Sequence, residues 1–353
     1  MSDVIYVDGI GHYTTAAQGA TKAAASGTPV AAAGAFGAYG ILISANEQIN
    51  YAQTAEREIS IFFLISATPG VNGGTDSPLL VIFDSAQTQL WITAEPDGSL
   101  KVYGGGTGSY SGVTWQYYGT LLGTTTAGTV QFGVHNHFKI KVLHHASAGT
   151  VDIELNGVSI LALTGKNTAY SGNAYSTNIR IGYTNSMVGD IRKAAPPTGY
   201  FSHLLIADAI GIIAGQPRIG ALFPNGVGAT SAWTPSAGSN YANVDETTPN
   251  DDTDYNESST VGHVDTYTMQ DTPALLTISG LAVTVRIKRT DANSYFVAAV
   301  LRIGGVDYVH PTPQGVPGDY AYLQWIWTVS PATSVAFTAS EVNGLEAGIK
   351  VTS

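Results

Sequence analysis

Apolar and polar positions alternate with period two through most of the chain, the pattern of half-buried β-strands. In "ISIFFLIS" Ile59, Ile61, Phe63 and Ile65 share one face, and in "QLWITA" Leu90 and Ile92 do. Pro96-Asp97-Gly98 predicts a tight turn, because proline fixes φ and glycine admits positive φ, and hence a hairpin from about Leu90 to Tyr103. The stretch "FGVHNHFKIKVLHH" puts Phe132, Val134, Phe138, Ile140 and Val142 on a core face. His135, His137, Lys139 and Lys141 fall on the opposite, basic face, expected to be solvated, with His144 and His145 at the hairpin end.

The following segment, "GTVDIELNGV", fixes a register. Pairing Val142 with Val151 sets Ile140 against Ile153 and Phe138 against Leu155, and it places Lys141 opposite Asp152 and Lys139 opposite Glu154. Apolar and charged faces agree on one alignment, as expected when cross-strand pairs specify a sheet. Asn156-Gly157 is the turn that follows.

After "FSHLLIADAIG" the texture changes, and a mostly polar stretch from Ala229 to Thr260 holds the densest run of acids. A boundary near Gly215 divides the chain into domains 1–214 and 215–353. In the second, Leu281, Val283, Val285 and Ile287 alternate with Thr284, Arg286 and Lys288, and "YFVAAVLRIGG" and "YLQWIWTVS" add strands. Thr338 with Glu341 fits a capping box that opens one short helix across "SEVNGLE", before a last strand "AGIKVT". No heptad, collagen-like or blade-length repeat appears. The expected class is all-β: a jelly-roll sandwich, then a smaller β-sandwich with one short helix.

Composition narrows the partners. The chain has 353 residues, enough for two cores, and only 12% are charged, about half the usual share, so much of its surface is neutral or covered by other subunits. A balance of 15 basic against 26 acidic residues opposes binding to nucleic acid. Without cysteine there is no disulfide framework and no thiolate site. The start "MSDVIYVDGIGHY" does not read as a secretory signal, and "VAAAGAFGAYGILISA" is too short and glycine-rich to suggest a membrane span.

Several constellations could carry chemistry. Asp152 and Glu154 share a strand face at a spacing that glycoside hydrolysis could use, roughly 5–9.5 Å. Laminarinase-like sandwich enzymes, however, carry a third alternate acid where this chain has Thr150 or Asn156. Lysines opposite these acids would lower their pKa values, whereas a general acid needs a raised one, so an ion-paired surface is the preferred reading and no catalytic residue is assigned. His135 and His137 point the same way, an arrangement zinc can use, but a solvated face explains them without a metal and is the preferred reading. Asp251, Asp252, Asp254, Asn256 and Glu257 offer oxygen ligands for calcium, yet an EF-hand count from Asp252 puts Glu257 where glycine belongs and His263 where the bidentate acid belongs. An acidic solvated loop is favoured, with calcium as the one cofactor considered. "YGGGTGSYSG" lacks the Gly-Lys-Ser/Thr of a phosphate loop and reads as a flexible hairpin loop. With "VTWQYYG" it gathers Tyr110, Trp115, Tyr117 and Tyr118, rings suited either to glycan or protein contact or to a core or subunit interface.

The segments "VDGIGHY", "HFKIKV", "AGTVDIELNGV", "PRIGALFPNG", "WTPSAGSNYANVDE", "DDTDYNESSTVGHVDTY", "RIGGVDYV" and "FTASEVNGLEAGIKVTS" resemble tailed-bacteriophage virion proteins with a concanavalin-A/laminin-G-like N-terminal sandwich. The likeness spans both domains; a departure is Ile10-Gly11, where the family's opening has "DGFDHY". It implies a non-enzymatic structural protein of the virion, made in the host cytoplasm. A tail fibre or tail-tip component contacting a host glycan or protein is the leading expectation. A capsid decoration or head-spike protein is the alternative, and a glycan depolymerase is the third class. Other virion proteins and copies of the chain, most simply a trimer, are the expected partners, with no nucleic acid and no membrane insertion.

Overall fold

The computed structural model describes residues 4–8, 29–31, 33–37, 40–43, 47–66, 77–110, 115–182, 198–247, 249–272 and 277–353. The chain divides into two compact units, Met1–Ile219 and Gly220–Ser353.

Among its described residues the first unit has fourteen strands: β1 (Val4–Asp8), β2 (Pro29–Val30), β3 (Gly40–Leu42), β4 (Glu47–Thr54), β5 (Glu56–Ile65), β6 (Ser77–Asp84), β7 (Gln87–Ala94), β8 (Leu100–Tyr110), β9 (Trp115–Thr124), β10 (His135–Leu143), β11 (Gly149–Leu155), β12 (Val158–Lys166), β13 (Ser176–Ile181) and β14 (Gly199–Ala207). One sheet runs β12-β11-β10-β5-β14-β3-β2 with β1 on β14, and the other runs β4-β13-β6-β7-β8-β9. Alternation decides which side of each strand is buried. Ile59, Ile61, Phe138, Ile140 and Val151 of the first sheet, and Leu80, Ile82, Leu90, Val102, Ile179 and Ile181 of the second, are at most 2% exposed. This is the jelly-roll sandwich that the period-two pattern predicts.

The β10–β11 register is the expected one: Val142↔Val151, Lys141↔Asp152, Ile140↔Ile153, Lys139↔Glu154 and Phe138↔Leu155. Asn156 and Gly157 both take positive φ, 52° and 85°, and close the β11–β12 turn, a conformation open to few residues besides Asn and Gly.

Four local expectations are corrected. The basic face of β10 is not solvated throughout: His137 is 1% exposed and Lys139 8%, while Val134, assigned to the core, precedes the strand and is exposed. His144 does lie at the hairpin end, between β10 and β11, but is buried. As far as Tyr110 the glycine-rich stretch read as a loop continues β8, paired with β9 from Lys101↔Thr124 to Tyr110↔Trp115; Ser111 and Gly112 lie outside the described residues. Gly104 and Gly105 have a packing reason, because a Cβ at either would run into the ring of Tyr170.

The second unit contains β15 (Pro224–Ser231), β16 (Thr234–Pro235), β17 (Asn256–Glu257), β18 (Val264–Met269), β19 (Leu281–Ile287), β20 (Phe296–Ile303), β21 (Val306–Val309), β22 (Gln314–Gly315), β23 (Ala321–Trp327), α1 (Ala339–Gly344) and β24 (Glu346–Val351). A sheet β15-β18-β24-β20-β21, with β22 on β20, and the ribbon β19-β23 enclose a core of Val297, Ala299, Leu301, Trp325, Trp327, Phe337, Val342 and Ile349. Leu281, Val283, Val285 and Ile287 pack against that core, as their alternation requires. Half of the capping box forms: Thr338 Oγ1 accepts from Glu341 N at 3.1 Å, while the Glu341 carboxylate turns to the Ser330 hydroxyl. No helix of the described residues is long and apolar enough to cross a membrane.

Candidate functional site

The outer face of the six-stranded sheet gathers side chains that are far apart in sequence. Successive registers place Gln48, Arg180, Val81, Trp91, Tyr103 and Leu121 in one row across all six strands. Asn50, Asn178 and Phe83 form a second row beside it, and Thr93 with Lys101 flanks it on the other side.

The row has an apolar middle and polar margins. Val81, Phe83 and Trp91 pack together and are 2%, 4% and 9% exposed. Tyr103 leans on Trp91 with ring centroids 5.2 Å apart. On the other side the Arg180 guanidinium lies 4.5 Å from the Phe83 centroid, and its Nε donates to Gln48 Oε1 at 3.0 Å. Gln48 Nε2 in turn donates to Asn50 Oδ1 at 3.1 Å, so the cation is oriented by amides. Beyond Tyr103, Lys101 Nζ pairs with Glu95 Oε2 at 2.9 Å, and Thr93 Oγ1 donates to Glu95 Oε1 at 2.9 Å. Of these rings Tyr103 is half-buried while Phe83 and Trp91 are buried, and a planar guanidinium suits a carboxylate.

The residues singled out in the sequence lie elsewhere or are already engaged. Tyr110, Trp115, Tyr117 and Tyr118 sit on the far ends of β8 and β9, where Tyr110 pairs with Trp115 and Tyr117 with Gly108; their side chains lie outside the described residues. Glu154 is held by two lysines, Lys141 Nζ at 2.6 Å and Lys139 Nζ at 3.4 Å. Hydrogen bonding from Lys141 keeps its carboxyl below the ordinary glutamate range, opposite to what a general acid needs.

His137 shares a 2.7 Å hydrogen bond between Nε2 and Ser60 Oγ and packs against the tilted ring of Phe62, centroids 4.7 Å apart; burial pushes its pKa down to about 4. His144 donates from Nδ1 to Thr168 O at 2.9 Å and is likewise pushed by burial to about 4. Among the described residues no group of three or more His, Cys, Asp or Glu side chains could hold a metal.

The acidic loop serves structure. Asp251 pairs through both oxygens with Arg286, at 2.5 and 2.8 Å, and Asp252 binds Lys288 Nζ at 2.6 Å. Asn256 belongs to an amide network with Asn240, Asn243 and Tyr267, and Asp254 lies against Glu246, whose pKa is raised, mainly by burial. Asp251, Asp252 and Asn256, three of the calcium candidates, thus engage cations and amides of the chain itself.

No family model matches the chain, and no curated protein does. Solved structures similar to it include the alginate lyase Aly36B, at 12% identity over 58% of this chain and 96% of that one, with a TM-score of 0.38. Alginate lyase vAL-1 from Chlorella virus follows at 9%, 58%, 99% and 0.37, and endo-β-1,4-glucuronan lyase from the fungus Trichoderma reesei at 12%, 52%, 86% and 0.35. These matches carry the names of polysaccharide lyases, against the expectation of a non-enzymatic tail-fibre or tail-tip protein. At such identity the likeness is one of β-sandwich fold, and no residue's role transfers with it.

Proposed function

We propose that the chain is a glycan depolymerase whose first unit takes a carboxylate-bearing polysaccharide across the outer face of the six-stranded sheet. The observation that carries this reading is the row Gln48–Arg180–Val81–Trp91–Tyr103: an amide-oriented cation at one margin, an aromatic middle, and a phenol beside a lysine at the other. Arg180 and Tyr103 stand three strands apart, about 14 Å at the usual strand spacing, the reach of roughly three sugar units. Arg180 therefore anchors a carboxylate remote from the bond that breaks. Tyr103, with Lys101 two positions away on the same face, takes the proton from the carbon that bears a second carboxylate; a C=C bond forms as the C–O bond to the glycosidic oxygen breaks, and the Tyr103 hydroxyl returns the proton to that departing oxygen.

Polyuronates such as alginate and glucuronan are the first substrates to try. Their size distribution after incubation with the full chain tests the reading: it shortens with wild type, and Arg180→Ala slows the change about tenfold or more through weaker binding. An unchanged distribution with every polyuronate would overturn it. As its setting we propose the particle of a tailed bacteriophage, with other virion proteins and further copies of the chain as partners and a host surface glycan as target. The sequence motifs quoted above support that setting, and immunogold labelling of intact particles tests it.

A further inference from the structure

Resting on that reading, we infer that Asn178 is a specificity residue that demands a free hydroxyl on the sugar bound at Arg180. Asn178 stands directly between Asn50 and Phe83, two positions from Arg180 on the same face of β13. It is only 6% exposed, and its Oδ1 is buried with no hydrogen-bond partner. Its backbone is held in place, since its carbonyl accepts from Tyr51 Oη at 3.2 Å.

A buried acceptor without a donor is destabilising, and side chains in this state are rare in folded proteins. An asparagine carbonyl accepts only from a donor, so its partner cannot be the carboxylate that Arg180 attracts. Beside a sugar carboxylate the available donor is a ring hydroxyl. The amide torsion of asparagine is broad, so Oδ1 turns toward exposed Asn50 at little cost when that hydroxyl arrives. Arg180 and Asn178 together then read a carboxylate and a neighbouring hydroxyl, the pattern of an unsubstituted uronic acid. An O-acetyl group removes the donor and leaves Asn178 unsatisfied, the situation in which a polar site rejects an analogue most strongly.

The test is binding of the full chain to one polyuronate in two forms, chemically O-acetylated and the same polymer after de-acetylation, by isothermal titration. Wild type is expected to prefer the de-acetylated form about tenfold, the ratio expected for one unmade hydrogen bond. Asn178→Leu binds both forms alike, and its Tm without ligand rises because the orphan acceptor is gone. Asn178→Asp, which keeps an acceptor, retains some preference. Equal affinity of wild type for the two forms, or a preference that survives in Asn178→Leu, overturns the inference while leaving the proposed function standing. Binding of neither form overturns both.

Discussion

Lys141 Nζ lies 2.6 Å from Glu154 Oε1, although Lys141 faces Asp152 across the β10–β11 pair and Lys139 is the residue opposite Glu154. One carboxylate thus serves two lysines, by a diagonal and a direct contact. The pair is partly exposed, with side chains 20% and 23% accessible, which limits its worth. Glu154→Gln is expected to cost about 0.5–1 kcal/mol in urea unfolding and to leave polysaccharide cleavage unchanged. Loss of cleavage in a folded Glu154→Gln variant would restore the catalytic reading of this strand.

Acid should weaken the first unit through its buried histidines. His137 and His144 have folded pKa values of about 4, against about 6.5 when unfolded. Their neutral forms favour folding fully above pH 6.5; between 6.5 and 4 the unfolded chain takes up protons that the folded chain refuses, and stability falls. The loss is on the order of 2–3 kcal/mol per histidine and levels off below pH 4. Urea midpoints from pH 7.5 to 4.5 check this, and His137→Gln with His144→Gln should flatten the curve.

In the second unit, Asp251 and Arg286 form a bidentate pair, and Arg286 also lies 5.2 Å from the ring centroids of Tyr320 and Tyr322. Arg286→Met should destabilise the unit by about 1–2 kcal/mol, partly by leaving Asp251 without its cation. Millimolar calcium should leave the wild-type Tm in place; a clear rise would show that the acids can exchange their lysine and arginine partners for the ion.

The β10–β11 register was legible in the sequence because two independent patterns, Phe138-Ile140-Val142 and Lys139-Lys141, agree on one alignment. What covers a strand's second face was not. Alternation separates His137 from Phe138 but cannot say that Phe62 and Ser60 bury the histidine. The row on the six-stranded sheet was missed because Gln48 and Arg180, 132 positions apart, meet only through the order β4-β13-β6. One signal was present: in "QLWITA" the core residues Leu90 and Ile92 put Trp91 on the outer face, where a tryptophan invites a ligand or a cover. The capping box was half legible, since Thr338 caps the helix but Ser330, eleven residues before Glu341, takes its carboxylate.

Cleavage and binding measured together on one polyuronate test the central claim most directly, with wild type and Tyr103→Phe compared. Wild type should generate the ultraviolet absorbance of the new conjugated double bond, and Tyr103→Phe should lose that signal at least about a hundredfold while binding the polymer within about twofold of wild type. A wild-type chain that binds the polymer and never produces the absorbance, or a Tyr103→Phe variant that cleaves at the wild-type rate, would contradict it.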